Sequence, residues 1–141
     1  MKITSAAAIS TERFQQRAND LRRAVARLVE ACEQPFNTFV RDSAIQRFEF
    51  CWELAWKTLK LRLEVVGIDA LTPRDVFQAS LQNGLIHDGN LWSDAQKMRN
   101  LTSHTYDELL AQKVYEFLLE SGQGIFKQLA VDVAQWQTET P

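Results

Sequence analysis

The sequence predicts an all-α protein, an antiparallel bundle of four to five helices. Three observations carry this. Only 5 glycines and 3 prolines interrupt 141 residues, fewer breaks than a small β-sandwich or barrel needs. Apolar residues recur at steps of three and four over long stretches, the period of an amphipathic helix. No segment alternates apolar and polar residues as a half-buried strand does. The length suits one domain, residues 1–141, and 45% apolar content supplies a hydrophobic core.

The first helix is expected from Ser10 to Glu33, with Phe14, Ala18, Leu21, Val25, Leu28 and Cys32 as its buried stripe. Gln34-Pro35-Phe36-Asn37 ends it, because proline cannot continue the hydrogen-bond ladder. Thr38 or Asp42 can open the second helix, and Gly67 stops it. Ile45, Phe48, Trp52, Ala55, Leu59 and Leu63 form one apolar stripe on this helix. Phe50, Leu54 and Leu61 form another. A helix apolar on two faces must be covered twice. One cover is the bundle core; the other is either more of the same monomer or a second subunit.

Thr72-Pro73-Arg74-Asp75 reads as N-cap, first-turn proline and first-turn acid, and Asn83-Gly84 as the end of a short helix. Asp88-Gly89-Asn90 is the next turn and cap, before a helix from about Leu91 through Arg99. Thr105-Tyr106-Asp107-Glu108 looks like a capping box that restarts a helix, with Leu109, Val114, Phe117 and Leu118 on its buried side. Ser121-Gly122-Gln123-Gly124 should weaken or bend it before Ile125, Leu129 and Val133 resume the pattern.

Charge excludes some functions. The net charge is −2, which rules out a histone-like basic arm but not a local basic patch. Residues 1–70 hold 11 bases and 9 acids, and residues 71–141 hold 5 and 9. Arg13, Arg17, Arg22, Arg23 and Arg27 lie along the first helix, as a solvated face or as a surface for RNA. No apolar run reaches a membrane span, and the start lacks the long apolar segment of a signal peptide. Cys32 and Cys51 sit in apolar stretches as buried free thiols; their spacing to His87 and His104 does not make a zinc site. A soluble protein of the reducing cytoplasm is expected, with no membrane, metal or cofactor.

Chemistry gathers in Arg99-Asn100-Leu101-Thr102-Ser103-His104-Thr105-Tyr106. If the run stays helical at about 100° per residue, Arg99, Asn100, Ser103, His104 and Tyr106 share one broad side. That side offers a permanent cation, an imidazole, an amide and two hydroxyls. A phosphodiester suits such a set. Arginine pairs with phosphate oxygens, and histidine moves a proton to or from a ribose hydroxyl or leaving oxygen. Two copies across a two-fold axis would supply acid and base together. From spacing alone, a lone arginine and histidine on a helix, as Arg99 and His104 are, more often serve as surface or capping groups. Glu49 and Glu53, one turn apart, can each pair with Arg99 or orient His104; Glu53 can instead pair with Lys57. Trp52, Trp56 and Trp92 suit core, interface or base stacking.

Arg99 to Tyr106 resembles the Arg-x4-His motif of HEPN domains in its Arg-x4-His-x-Tyr form. Ile45-Gln46-Arg47-Phe48-Glu49-Phe50-Cys51-Trp52-Glu53-Leu54-Ala55-Trp56-Lys57 is similar to the second helix of one HEPN branch, the nucleotidyltransferase substrate-binding protein family. Thr72-Pro73-Arg74-Asp75 and Gly84-Leu85-Ile86 resemble its linker and third helix. The resemblance covers about Asp42 to Tyr115. It implies a helical up-and-down bundle that dimerises, a homodimer that pairs with a separately encoded minimal nucleotidyltransferase. Related pairs are toxin–antitoxin systems whose HEPN member is a metal-independent ribonuclease acting on RNA, silenced by AMP attached to the motif tyrosine. Carried over, Arg99 binds and polarises the scissile phosphate, His104 is the acid–base group, and Tyr106 accepts AMP. Asn100 and Ser103 orient phosphate or His104, and Glu53 supports them. The alternative is a non-catalytic substrate-binding subunit of the nucleotidyltransferase.

Overall fold

A computed structural model describes residues 6–139. They are all-helical, with no strand among them. Helix α1 spans Ala6–Cys32 and α2 spans Thr38–Val65. Phe14, Ala18, Leu21, Val25 and Leu28 bury the α1 stripe against the α2 stripe, and Cys32 at the end is half-buried rather than enclosed. All six residues of the first α2 stripe are buried, each large side chain contributing roughly 1.5–3 kcal/mol. The N-cap of α2 is Asn37, one residue before the expected opening, and its side chain accepts from the Val40 N–H at 2.8 Å. Asparagine's short acceptor reaches the third N–H of the turn, so Thr38 becomes the first helical residue.

Helix α3, Pro73–Gln82, starts as expected, with the Thr72 hydroxyl accepting from the Asp75 N–H at 3.1 Å. Helix α4 spans Gly89–Leu101. A chain of aromatic contacts ties these two short helices to the long ones. Trp52 of α2 packs on Phe77 of α3 at 4.6 Å between ring centroids, and Phe77 stacks on Trp92 of α4 at 5.2 Å. Trp52 and Trp92 are therefore core residues. This packing fixes where the far end of α4 emerges.

Helix α5 spans Glu108–Phe117 and α6 spans Gln123–Glu139. Between them Leu118–Gly122 forms a π-helical turn, so the two make one rod with a bulge where the sequence predicts a weakened or bent stretch. A Cβ on Gly122 would lie 2.7 Å from a ring carbon of Phe117, so the close approach there requires glycine.

Two expectations for α5 are corrected. Its cap is Asp107, whose carboxylate accepts from the Leu109 and Leu110 N–H groups at 2.9 and 3.2 Å; the Thr105–Glu108 capping box does not form. The carboxylate two residues later outcompetes the threonine, whose hydroxyl turns back to the Thr102 carbonyl. Helix α5 then buries Ala111, Val114, Tyr115 and Leu118, while Leu109 is 83% exposed. It sits in the first turn, out of phase with that stripe.

Candidate functional site

Arg99 and Asn100 belong to the last turn of α4. The expected continuous helix through Tyr106 does not form. After Leu101 the chain tightens into a 3₁₀ turn over Thr102–His104, followed by a loop through Tyr106. The cause is local. The Thr102 hydroxyl lies 2.6 Å from the Arg99 carbonyl, three residues back, and competes with the α-helical ladder. The Asp107 N–H closes the loop by donating to the His104 carbonyl at 3.0 Å.

Thr102 is the buried hub of this segment. Its hydroxyl accepts from Arg99 Nη1 at 3.1 Å and has Glu49 Oε2 within reach at 3.2 Å. Arg99 Nη1 also lies 3.8 Å from the same Glu49 oxygen. Guanidinium, hydroxyl and carboxylate thus tie the end of α4 to the middle of α2. One donor is left over, since Arg99 Nε is buried without an acceptor. Glu49, not Glu53, is therefore the carboxylate beside Arg99. Glu53 accepts from the Trp56 indole N–H at 2.7 Å, a contact three residues along its own helix. Its expected support of Arg99 or His104 is replaced by this local bond.

The other motif side chains face out. Asn100, Ser103, His104 and Tyr106 are exposed, Tyr106 at 84%. The His104 and Tyr106 rings stand edge to face, 6.1 Å apart. Among the described residues the His104 imidazole makes no hydrogen bond, and it makes none to Arg99. One copy of the chain therefore presents a fixed guanidinium, a solvent-facing imidazole and a solvent-facing phenol on one short connection.

Sequence reasoning misses two positions. Thr102 reads as a spacer within the motif, although its offset of three from Arg99 matches a helix-terminating hydroxyl. Arg41 carries no sequence signal at all. Its guanidinium is buried at the start of α2 and makes paired bonds of 2.8 and 3.1 Å to Glu108, with a third of 3.2 Å to Asp42. The Glu108 bond raises the affinity of Arg41 for its proton, and Arg41 holds the Glu108 carboxyl below the usual range. This clamp fixes the C-terminal side of the Ser103–Tyr106 connection against α2. Among the described residues no three His, Cys, Asp or Glu side chains gather as metal ligands, and no helix is long and apolar enough to cross a membrane.

Known proteins share this fold. Residues 16–133 match the family model "Nucleotidyltransferase substrate binding protein like". A Haemophilus influenzae protein named "Probable ribonuclease HepT" is 41% identical over 87 residues, which span 55% of this chain and 60% of that protein. A crystal structure of a Thermus thermophilus protein superposes with a TM-score of 0.69 at 32% identity, covering 83% of this chain and 98% of that one. A Haemophilus influenzae structure, reported to reveal the fold of a substrate binding domain of a nucleotidyltransferase, superposes with a TM-score of 0.63 at 27% identity over 89% of this chain and 99% of that one. With a family model matching most of its length and solved structures sharing its fold, the chain belongs to the nucleotidyltransferase substrate-binding protein family of HEPN domains.

Proposed function

We propose that this protein is the HEPN partner of a separately encoded minimal nucleotidyltransferase, and that it is a metal-independent endoribonuclease silenced when AMP is attached to Tyr106. The observation that carries the reading is Arg99. Its guanidinium is braced by Thr102 and Glu49, and the side chain stays 29% exposed, five residues before an exposed imidazole. A braced, part-exposed guanidinium suits a phosphate oxygen. The similarity to a protein named as a ribonuclease supports the same chemistry.

In this reaction a ribose 2′-oxygen attacks the adjacent phosphorus. The new P–O bond forms as the bond to the 5′-oxygen breaks, leaving a cyclic phosphate and a 5′-hydroxyl. Arg99 neutralises the phosphate oxygens, with Asn100 and Ser103 as further hydrogen-bond groups. His104 carries a proton at one end. A homodimer brings a second His104 for the other end. Its contact is the surface of α2 around Phe50, which is 56% exposed beside the half-buried Leu54. Silencing follows from position. The Tyr106 oxygen attacks the α-phosphorus of ATP, pyrophosphate leaves, and the phenolic proton passes to solvent. The bulky anion then hangs from a ring whose centroid lies 6.1 Å from that of His104. The site of action is the cytoplasm.

The test is cleavage of mixed RNAs by the purified protein in chelator, alongside Arg99→Ala and His104→Ala. Cleavage by wild type and loss in both variants is expected. Equal inertness of all three would sink the ribonuclease reading and leave the second one, a non-catalytic subunit that presents substrate to the nucleotidyltransferase. The family description favours that alternative directly. Incubation with the partner enzyme, ATP and Mg²⁺ should add one AMP mass per chain to wild type and none to Tyr106→Phe.

A further inference from the structure

The flank of α2 that carries Glu49 continues past the motif. Glu49, Glu53, Trp56 and Lys60 recur at steps of four, three and four and so share one side of the helix. At its far end lies a cavity of about 590 Å³ between α1 and α2. Arg13 and Arg17 line it from α1, Lys57 and Lys60 from α2, with Trp56 as an aromatic wall. Glu64 is the one carboxylate among the lining residues, and Lys60 and Ser10 already hold it. Arg13, Arg17 and Lys57 form no salt bridge among the described residues. Four cations against one acid stand out in a chain whose net charge is −2.

The α1 arginines do not act as one face. Arg22 donates to Gln137 of α6 and Arg23 is paired with Asp20, whereas Arg13 and Arg17 turn to the cavity. Trp56 is held in one orientation, because its indole N–H is fixed by Glu53. From Glu49 to Lys60 the rise along α2 is roughly 16 Å, at 1.5 Å per residue.

We propose that this groove carries the backbone of a single RNA strand that continues from the phosphate held at Arg99. The proposal rests on the ribonuclease reading for the identity of the strand. Successive cations match the phosphates in charge, and a fixed aromatic ring on the groove's wall gives an unpaired base a surface to stack on. A duplex keeps its bases from Trp56. An acidic protein would satisfy the cations but leave the indole without a partner.

The experiment uses the full chain with His104→Ala, so that RNA is bound and not consumed, and a fluorescein-labelled ten-nucleotide uridine strand. Anisotropy is followed across a salt series. Arg13→Gln combined with Arg17→Gln should weaken binding about tenfold and lower the slope of log K against log salt by roughly 1.4, at ~0.7 per lost phosphate contact. Both residues are exposed, so the fold should survive, as circular dichroism will report. Trp56→Leu should weaken binding without changing the slope, which separates stacking from charge. Arg74→Gln, exposed on α3, should change neither quantity.

Unchanged affinity and slope in the double variant overturn the proposal. So does loss of nucleotidyltransferase capture with RNA binding intact, which makes the groove a protein-docking surface. Wild-type cleavage is scored separately. Groove-dependent binding by a chain that never cleaves RNA refutes the ribonuclease reading and upholds the groove; cleavage with groove-independent binding refutes the groove alone.

Discussion

Arg99 Nη1 of α4 lies 3.8 Å from Glu49 Oε2 of α2, and the Thr102 hydroxyl lies within hydrogen-bond distance of both. The ion pair is half-exposed, with side-chain exposures of 29% and 37%, so by itself it adds little stability. Its effect is on position. The carboxylate and hydroxyl restrict a long side chain that would otherwise sample many rotamers, and an arginine already in place loses less entropy on meeting phosphate.

Thr102 is the sharpest test of that bracing. Thr102→Val removes the shared hydroxyl and leaves Arg99 Nη1 without its nearest neutral acceptor. The fold should lose about 1 kcal/mol, read from urea unfolding. RNA cleavage should fall about tenfold, a larger loss than that modest destabilisation explains on its own. Thr102→Ser keeps the oxygen and should recover most of the rate. Equal losses in Val and Ser would mean that the methyl packing matters and the hydroxyl does not.

Much of the fold was legible because it rests on period and punctuation. The α2 stripe from Ile45 to Leu63 is buried throughout, and Thr72-Pro73 caps α3 in the expected way. The misses occur where two local options compete. Asp107 and Thr105 both can cap α5, and only three-dimensional placement decides for the carboxylate. Glu49 and Glu53 are one turn apart, and Trp56 claims the second. The motif residues were legible as a set, but their geometry was not. A uniform helical phase fails once Thr102 bonds to the Arg99 carbonyl. Arg41 stayed hidden because its partner Glu108 lies 67 residues away.

The Arg41–Glu108 clamp predicts an acid-sensitive connection. Arg41 depresses the Glu108 carboxyl below its ordinary value, so the pair's contribution is present above the unfolded glutamate range and lost as pH falls through it. Melting temperature should therefore drop between about pH 5 and pH 3 more steeply for wild type than for Glu108→Gln. Glu108→Gln should also be less stable at neutral pH, since it leaves a buried guanidinium with Asp42 as its remaining carboxylate. Parallel pH curves for the two proteins would show that the clamp does not contribute.

The π turn depends on Gly122. Its missing Cβ is where Phe117 packs, and an added methyl would meet ring carbons at 2.7 and 3.0 Å. Phe117 is a half-buried side chain of the same rod, so it cannot swing far without exposing apolar surface. Gly122→Ala should cost about 1–3 kcal/mol in chemical denaturation, the usual cost of overpacking. Gly124→Ala, with open space around the position, is the control and should be neutral or mildly stabilising.

The two thiols should behave differently. Cys51 is fully buried, and burial pushes its thiol up to about 12; Cys32 is half-buried and also raised. A thiol-reactive dye should label Cys32 in the native protein and Cys51 only after unfolding. The sign with pH follows from linkage. Above the unfolded thiol value the unfolded chain releases the Cys51 proton while the folded chain keeps it. Stability should then fall by about 1.4 kcal/mol per pH unit from pH ~9 upward. Cys51→Ala should flatten that slope, and a slope unchanged by the substitution would assign it to other groups.

In the proposed ribonuclease, a dimer contact at Phe50 of α2 would decide how many imidazoles reach one phosphate. Phe50 is 56% exposed, whereas Leu54 and Leu61 of the same helix face are half-buried against the monomer's own core. If this face is the dimer contact, Phe50→Glu places a carboxylate in the apolar centre of a two-fold interface, opposite its own copy. Light scattering should report a monomer for the variant and a dimer for wild type. Monomer stability should change by no more than about 0.5 kcal/mol, as for most surface substitutions. Cleavage should fall with the dimer, because one His104 cannot serve as acid and base in the same step. A Phe50→Glu protein that stays dimeric would place the interface elsewhere, and one that is monomeric and fully active would show that a single imidazole suffices.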